Sequence, residues 1–330
     1  MRFFLLSILI LFFSCNNSQE ETINDSIPES ESKWSVDEDN IKGGGKTYEL
    51  SKTPKFGTVN DFLRLSDHEK VALVSFKNEV RVYPYFFTNH FEVINDSFND
   101  LNIAVTYCPL TKSGICYDRE IDNKTYELLA SGYLYKDNMV PSDKNQELLW
   151  SQMLMSVIGK NNAGKKMNNY NLIETNWKTV KTYFSDAKVY YHEKRDANPT
   201  DPNLNETGDA AYIYGVFNEK IETEVNLFKY DIFKDKTKLT NKVFNNRNVI
   251  VIGSKEKYFV TSYYTKDNLS FSLLDDSEFP NIIKDNEGNI WNVFGYAISG
   301  NRKGEQLDSP KAYVAQYWAW KDFFTNLKFN

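Results

Sequence analysis

Two cysteines that could carry out thiol chemistry lie close together in the segment VTYCPLTKSGIC, residues 105–116. Its pattern predicts a strand that ends at Cys108, a bend at Pro109 and a second strand that resumes at Ile115. A cysteine on such a bend can serve as a metal ligand, a redox partner or a nucleophile. If the two strands form a hairpin, Cys108 and Cys116 are candidates for a disulfide, provided that their Cα atoms come within about 7 Å.

A metal site is the second hypothesis. Thiolates, imidazoles and carboxylates bind copper and zinc, and His90, Glu92 and Asp96 lie on a predicted helix before the strand that ends at Cys108. Residues 90 and 92 point about 200° apart on a helix, so they share an ion only if the helix ends between them. The metal hypothesis therefore pairs Cys108 with His90. Three methionines could add soft ligands, namely Met139, Met153 and Met155.

A cysteine nucleophile and a ligand-binding module are the remaining hypotheses. The nucleophile would need a base such as His68, His90 or His192. The chain has no G-x-S-x-G, H-E-x-x-H or phosphate-loop motif that would indicate another kind of active site. For binding or catalysis the candidate site residues are the same: Cys108, Thr111, Glu92, Asp96, Trp150 and Gln152.

The composition indicates a folded, strand-rich protein with no affinity for nucleic acid. Tyr (21 residues) and Phe (23) far outnumber Met (5), which favours strands over helix bundles. Asp and Glu total 45 against 39 Lys and Arg, a net charge of -6, so no general basic field is available for phosphate backbones. We expect an α+β fold that is rich in β-strands.

The N-terminus has the pattern of an exported lipoprotein. Residues 1–14 combine a basic start with an apolar run that is shorter than the roughly 20 residues needed to span a bilayer. Ser14 and Cys15 resemble a lipobox, which implies cleavage before Cys15 and lipidation of its thiol; the alternative is a plain signal peptide. Residues 15–46 are polar and acidic, as expected of a disordered linker. We therefore expect an outer-membrane lipoprotein, bound to the membrane by its lipid, that faces the periplasm or the cell surface.

The body of the chain shows the pattern of an internal duplication. Trp150 is followed by a glycine nine positions later and by a tryptophan 27 positions later, and Trp291 is followed by both at the same distances. Residues 76–79 (FKNE) precede the similar residues 217–220 (FNEK) by 141 positions, which is also the offset between the two tryptophans (291 − 150). Matching offsets of this kind indicate repeats. We predict two homologous halves, residues 47–192 and 209–330, joined by a linker at 193–208.

Only the first of these halves carries the thiol. Where the cysteine-bearing strand should end, the second half has Gly253 and Ser254, and no Pro-Leu-Thr turn follows. Chemistry tied to Cys108 is therefore expected in the first half alone, and the second half is expected to be mainly structural.

Several motifs together resemble the domain-of-unknown-function family 3179, a group of uncharacterised bacterial proteins that are often exported. The motifs span about residues 60–330 in the family's order: EVRVYP (79–84), FEVIND (91–96), VTYCPLTKSGI (105–115), WSQ (150–152), IGKNNAG (158–164), WNVFGYAISGNRKGEQL (291–307) and YWAWKDFF (317–324). Many members have Cys-Pro-Leu-Cys where this chain ends the motif on Thr111, so the C-x-x-C pair is absent here. The resemblance implies kinship and export, and it supplies no reaction.

These patterns together predict a cell-envelope lipoprotein that binds a ligand near Cys108. The alternative is a thiol- or metal-dependent envelope enzyme that uses copper or zinc. The expected partners are the membrane, through the lipid anchor, and a small molecule or another protein. The substitution Cys108→Ala separates the two readings, because a binding role tolerates the loss of the thiol and thiol chemistry does not.

Overall fold

Strands dominate the fold, as the aromatic-rich composition predicts. The computed structural model describes residues 32–44, 48–51, 53–77, 79–98, 101–193, 212–218, 224–234, 236–244, 246–266 and 268–330. The predicted signal peptide (1–14), Cys15 and nearly all of the linker predicted at 193–208 lie outside these residues. None of the helices in the described ranges has the length and hydropathy needed to span a bilayer.

The strands before the predicted linker are β1 (Ile41–Gly43), β2 (Lys55–Thr58), β3 (Lys70–Phe76), β4 (Glu79–Pro84), β5 (Val93–Phe98), β6 (Leu101–Cys108), β7 (Ser113–Asp118), β8 (Glu120–Ile121), β9 (Lys124–Thr125), β10 (Leu128–Tyr135), β11 (Asn138–Asp143), β12 (Trp150–Ser151), β13 (Ser156–Val157), β14 (Asn169–Tyr170), β15 (Ile173–Asn176) and β16 (Lys188–Tyr191). Those after it are β17 (Tyr212–Phe217), β18 (Glu224–Lys229), β19 (Lys238–Phe244), β20 (Arg247–Ser254), β21 (Phe259–Tyr264), β22 (Phe271–Leu273), β23 (Asn281–Asp285), β24 (Ile290–Asn292), β25 (Ala297–Ser299), β26 (Ala312–Gln316) and β27 (Asn326–Phe329). The α-helices are α1 (Tyr85–Thr88), α2 (Trp177–Tyr183) and α3 (Tyr317–Phe323).

One sheet in each half has the same arrangement of strands. The order is β15-β3-β4-β16-β2 in the first half and β26-β17-β18-β27 in the second. In both sheets the strand that follows the helix lies parallel to its neighbour. Because strands that run parallel need a crossover connection, α2 and α3 each carry the chain across the sheet. Among the described residues, β2 adds a fifth strand in the first half only.

A three-strand meander in each half continues the correspondence. It consists of β5-β6-β7 in the first half, extended by β14, and of β19-β20-β21 in the second. The inner hairpin ends on the pair Cys108 and Ser113 in the first half and on the pair Ser254 and Phe259 in the second. By this register Ser254 occupies the position that Cys108 occupies in the first half, as the sequence pattern indicated.

The two halves share their apolar core. One buried cluster contains Val71 and Trp177 of the first half together with Ile250 and Trp291 of the second. A second cluster, which contains Cys108, likewise draws on both halves. Residues 33–330 accordingly form one compact unit, and burial of shared apolar surface is the main force that holds the halves together.

The fold begins earlier than residue 47, which the sequence suggested as its start. Trp34 is buried and forms a bridge with Gly159, and β1 pairs with β10. The part of the predicted linker at residues 33–44 is therefore packed against the first half. Its acidic composition gave no sign of Trp34, whose burial stabilises the packed segment, or of the short strand β1, which pairs with β10.

One local prediction is confirmed and another is wrong. The β6-β7 hairpin lies where the pattern around Cys108 placed it. The helix predicted to carry His90, Glu92 and Asp96 is wrong: α1 ends at Thr88, and residues 93–98 form β5, where β-branched residues pack well on a pleated surface.

Candidate functional site

Cys108 is the last residue of β6 and is buried. Its sulfur accepts hydrogen bonds from the Thr111 hydroxyl and from the backbone N–H groups of Thr111 and Met139. Burial raises the pKa of the thiol, and the three hydrogen bonds oppose that rise because they stabilise a thiolate. Burial is the larger effect, so the group is a protonated thiol at neutral pH.

A cavity of about 290 Å³ opens beside this thiol. It is lined by Tyr48, Glu92, Cys108, Pro109, Leu110, Ala130, Gly132, Tyr133, Leu134, Met139 and Val140. The wall is mainly apolar, and among the described residues that line it only Glu92 carries a carboxyl group and none is Lys or Arg. A mainly apolar cavity with a single carboxyl group is typical of a small-molecule site.

Glu92 is placed in this cavity by an unusual backbone conformation. Its backbone N–H donates to the carbonyl of Thr88 (2.8 Å) at the end of α1, and its φ of 59° is left-handed, which costs a residue other than glycine about 1–3 kcal/mol. The carboxyl makes no hydrogen bond or ion pair with any residue in the described ranges, and burial raises its pKa to about 7. The charge of Glu92, followed by burial, raises the pKa of the Tyr48 phenol.

Five buried polar side chains form a hydrogen-bonded network behind Cys108: Thr106, Thr111, Ser113, Asn138 and Gln152. Gln152 Oε1 accepts from Ser113 Oγ (2.7 Å) and Asn138 Nδ2 (2.8 Å). Gln152 Nε2 donates to Thr106 Oγ1 (2.9 Å), and Asn138 Nδ2 also donates to Thr111 Oγ1 (2.9 Å). Because a buried polar group is costly unless it is paired, this network fixes the conformation of the turn at residues 109–112.

The Thr111 hydroxyl proton has two acceptors within reach, Ser113 Oγ and the Cys108 sulfur. Ser113 gives its proton to Gln152, so Ser113 Oγ is left to accept from Thr111 Oγ1, 2.8 Å away. Thr111 Oγ1 itself accepts from Asn138 and retains its proton for Ser113 or for the sulfur of Cys108. Thr111 thus connects the network to the thiol, and Thr111 and Gln152 support the cavity from behind without lining it.

The structure does not bring the two cysteines together. Cys116 pairs with Val105, three residues before Cys108 on β6, and side chains alternate between the faces of a strand. The two thiols therefore point to opposite faces of the sheet, and each belongs to a different buried cluster. Both cysteines are free, and a cross-strand disulfide does not fit this register.

Asp96 and His90 also lie apart from the cavity. Asp96 forms an ion pair with Arg81 (2.5 Å) and accepts a hydrogen bond from the Tyr83 hydroxyl (2.5 Å) on the Cys116 side of the sheet. The His90 ring stacks on His192 at 4.2 Å between ring centroids. The predicted grouping of His90 and Asp96 with Cys108 depended on a longer helix, and α1 ends at Thr88.

Trp150 is buried below the network and does not line the cavity. Its indole Nε1 finds no hydrogen-bond acceptor among the described residues. The corresponding Trp291 of the second half donates from Nε1 to Asp285 Oδ2 (2.9 Å). Trp150 is therefore a core residue that happens to precede Gln152, and its unpaired donor is a difference between the halves.

The donors at the cavity limit which metals could bind there. Within the described ranges no group of three or more His, Cys, Asp or Glu side chains is arranged to hold an ion, so a conventional zinc site is not formed by these residues. The cavity offers one thiol, the Met139 thioether and the Glu92 carboxyl, and the sulfur ligands are of the kind that Cu(I) accepts.

The sequence patterns missed several residues of this site. Tyr48 reaches the cavity from a segment far along the chain from Cys108, and no motif marks it. Asn138 joins the network from β11. Thr106 and Ser113 could have been found, because they flank the cysteine bend and alternate with apolar residues on the same strands.

The structure is that of a strand-rich protein with a buried thiol beside a partly open, mainly apolar cavity. Residues 51–326 match the family described as "Protein of unknown function (DUF3179)", and the chain belongs to that family. No curated protein matches the chain, and no solved structure matches it either. The family resemblance noted in the sequence is thereby confirmed.

Proposed function

We propose that this protein is a lipid-anchored binding protein of the cell envelope that holds a small, mainly apolar organic molecule in the cavity beside Cys108. The observation that carries the proposal is the cavity itself, whose apolar wall contains a single carboxyl group, Glu92, without a protein partner in the described ranges. Buried polar groups that the protein leaves unpaired are available to a ligand.

The state of Cys108 favours binding over thiol chemistry. A nucleophilic or redox-active cysteine needs thiolate at working pH, whereas burial raises the pKa of Cys108. Glu92 also raises that pKa, because its negative charge disfavours a neighbouring thiolate. The thiol serves as a small polarisable part of the cavity wall.

The N-terminal sequence supports export and a lipid anchor. Residues 1–14 have the composition of a signal peptide, and Cys15 follows the small residue expected before a lipidated cysteine. On this proposal the cavity faces the periplasm or the cell surface. The mass of the mature N-terminus tests it: we expect diacylglycerol on Cys15, and an unmodified N-terminus at another residue contradicts the lipid anchor.

We infer further that the two halves arose by duplication. The shared strand order supports this. Two matching turns support it as well: the Gly164 N–H donates to the Val157 carbonyl, and the Gly304 N–H donates to the Ala297 carbonyl. Both glycines have positive φ. The inference can be tested by aligning the two halves of each family member with each other. If the sequence identity between halves is no higher than that between shuffled sequences, the inference is wrong.

Binding can be tested by NMR on the methionine methyl groups, because Met139 lines the cavity. Met153, Met155 and Met167 are buried in the same cluster but do not line it, so they report any general change in structure. We expect the Met139 signal to shift in a saturable way when at least one of three six-carbon probes is added: 1-hexanol, 1-hexylamine or hexanoate. Small ligands of this size bind with dissociation constants of about 1 mM.

A blocked cavity provides the control. Leu110 is at the edge of the cavity and half exposed, so Leu110→Trp can occlude it without disturbing the core, and we expect the Met139 shifts to disappear. The matched variant Val243→Trp adds the same side chain at an exposed site in the second half and should leave them unchanged. If none of the three probes shifts Met139 in the wild-type protein, the proposed binding function is wrong.

A further inference from the structure

We propose that the ligand of this cavity is a small organic cation, an alkylammonium whose charged end pairs with the Glu92 carboxylate and whose hydrocarbon part lies among the apolar wall residues. This inference rests on the proposed binding function and adds the chemical class of the ligand. The juxtaposition that carries it is a carboxyl group that has no partner in the described ranges, inside a cavity whose described lining holds no other charged residue.

An ionised carboxylate inside an apolar cavity is stable only if an opposite charge accompanies it. Two buried aspartates in the described ranges have such a partner or several donors. Asp96 pairs with Arg81, and the Asp285 carboxylate accepts five hydrogen bonds from Asn289, Trp291 and the Glu287 N–H. In the described ranges Glu92 has neither kind of partner, so the missing cation is expected from the ligand.

None of the other described residues that line the cavity supplies a positive charge to Glu92. Tyr48, Tyr133 and Cys108 are the other titratable residues of the lining. The Lys33 ammonium is already engaged with Tyr133, to whose hydroxyl it donates (2.5 Å) and over whose ring it lies at 3.9 Å. The rings of Tyr48 and Tyr133 can also attract an ammonium group through their faces.

Two other classes of ligand fit less well. An anionic ligand would meet the Glu92 charge without a Lys or Arg in the lining to offset it. A metal ion would find a thiol, a thioether and one carboxyl, and the described residues offer no three-residue cluster of the usual ligand types. A monovalent cation with an apolar body uses both the carboxyl and the apolar wall.

The test compares 1-hexylamine, 1-hexanol and hexanoate, which have the same chain and differ in head-group charge. Dissociation constants come from the Met139 methyl shift at pH 8, where Glu92 is mostly ionised and the amine is a cation, since alkylammonium groups titrate near pH 10. We expect hexylamine to bind at least about tenfold more tightly than hexanol, with hexanoate the weakest. At pH 6 we expect hexylamine affinity to fall by about tenfold, as Glu92 becomes protonated.

The variant Glu92→Gln keeps the shape of the side chain and removes its charge. We expect its hexylamine and hexanol affinities to agree within about threefold. Glu174→Gln is the matched control, because Glu174 is also a buried acid with a raised pKa but lies outside the cavity, and it should keep the wild-type preference. If Glu92→Gln fails to fold, the pH comparison on the wild-type protein decides.

The outcomes separate this inference from the function on which it rests. Binding of hexanol or hexanoate as tight as that of hexylamine in the wild-type protein overturns the cation class and leaves the binding function standing. An unchanged preference in Glu92→Gln also overturns it, because the charge would then act from another residue. Absence of binding by all three probes overturns both proposals.

Discussion

The two halves differ most at the end of the central hairpin. In the first half the hairpin ends on Cys108 and Ser113, and the following polar network supports a cavity. In the second half the same register position holds Ser254, and its partner Phe259 is buried in the apolar core. The shared strands therefore act as a framework, and the chemistry depends on a few residues at one turn.

The second half also holds the turn of the first in place. The backbone N–H of Gln316 donates to the carbonyl of Thr111 (2.9 Å), and the Tyr313 hydroxyl donates to the carbonyl of Met153 (2.8 Å). Both residues belong to β26. These contacts give the second half a structural role, which agrees with its lack of a thiol.

The largest loss of stability on substitution is expected at Gly114, a position at which the two halves carry different residues. A Cβ atom there would lie 2.0 Å from the Tyr85 hydroxyl, whereas the corresponding position of the second half carries Val260. We expect Gly114→Ala to lose about 3 kcal/mol or more of unfolding free energy, because backbone and ring must both move. Urea unfolding measures it.

Gly164→Ala is the control for this substitution. Gly164 has positive φ but open space at the Cβ position, so the loss should be near 1 kcal/mol. Equal losses for the two variants would mean that the close approach of Tyr85 to Gly114 has little energetic weight.

The next largest loss of stability is expected when Gln152, the centre of the polar network, is replaced by the residue at the corresponding position of the second half. Gln152 comes two positions after Trp150, and Val293 comes two positions after Trp291. Gln152→Val leaves Ser113, Asn138 and Thr106 short of partners, and we expect a loss of about 2–4 kcal/mol in thermal or urea unfolding.

Gln306→Val is the matched substitution in the second half. Gln306 is exposed and donates a long hydrogen bond, 3.4 Å to the Phe294 carbonyl, and another to the Tyr296 hydroxyl. Because water can replace both, the substitution should cost under about 1 kcal/mol. A Gln152→Val protein as stable as Gln306→Val would show that the buried network contributes little.

The contributions of Glu92 and Asp285 to stability should change with pH in opposite directions. Burial raises the pKa of Glu92 to about 7 in the folded state, whereas the same group in the unfolded state loses its proton above about pH 4.5. The free energy of unfolding therefore falls as the pH rises from about 4.5 towards 7. Glu92→Gln removes this loss, and we expect it to be more stable than the wild type by about 1–3 kcal/mol at pH 8 and equal to it at pH 4.

Asp285 supplies the contrast in the second half. Hydrogen bonds from Asn289 and Trp291, which outweigh the opposing effect of burial, hold its pKa below the ordinary value. Its stabilising contribution is present at neutral pH and is lost as pH falls through the folded pKa, so Asp285→Asn should be less stable than the wild type at pH 7. Unfolding curves recorded between about pH 2 and 8 check both signs, because the Asp285 contribution is lost below its ordinary pKa. Parallel curves for wild type and Glu92→Gln would contradict the raised pKa of the Glu92 carboxyl group.

The smallest effect is expected from Cys108→Ser, which introduces the residue that the second half carries. The Thr111 hydroxyl and the two backbone N–H groups remain as partners for the new oxygen, so we expect a change within about 1 kcal/mol and retained probe binding. Cys116→Ser should cost more, because Cys116 is fully buried and its sulfur, unlike that of Cys108, has no hydrogen-bond donor among the described residues. Loss of probe binding by a folded Cys108→Ser protein would favour the thiol-dependent alternative.

The sequence by itself predicted the strand-rich class, the hairpin that carries Cys108, the family, and the restriction of the thiol to the first half. These depend on local signals, since alternation, turn residues and cysteine positions can be read along the chain. Glu92, Thr111 and Gln152 were also found because they lie near the bend or in a family motif.

Only the tertiary structure decided which of these residues share a site. A one-residue change in strand position moves a side chain to the other face, and this alone separates Cys116 and Asp96 from Cys108. Tyr48 and Met139 join the cavity from segments distant in sequence, and burial of Glu92 without a partner in the described ranges is a property of the packed fold. The chain therefore determined the reactive groups, and the packing of its sheets determined their environment.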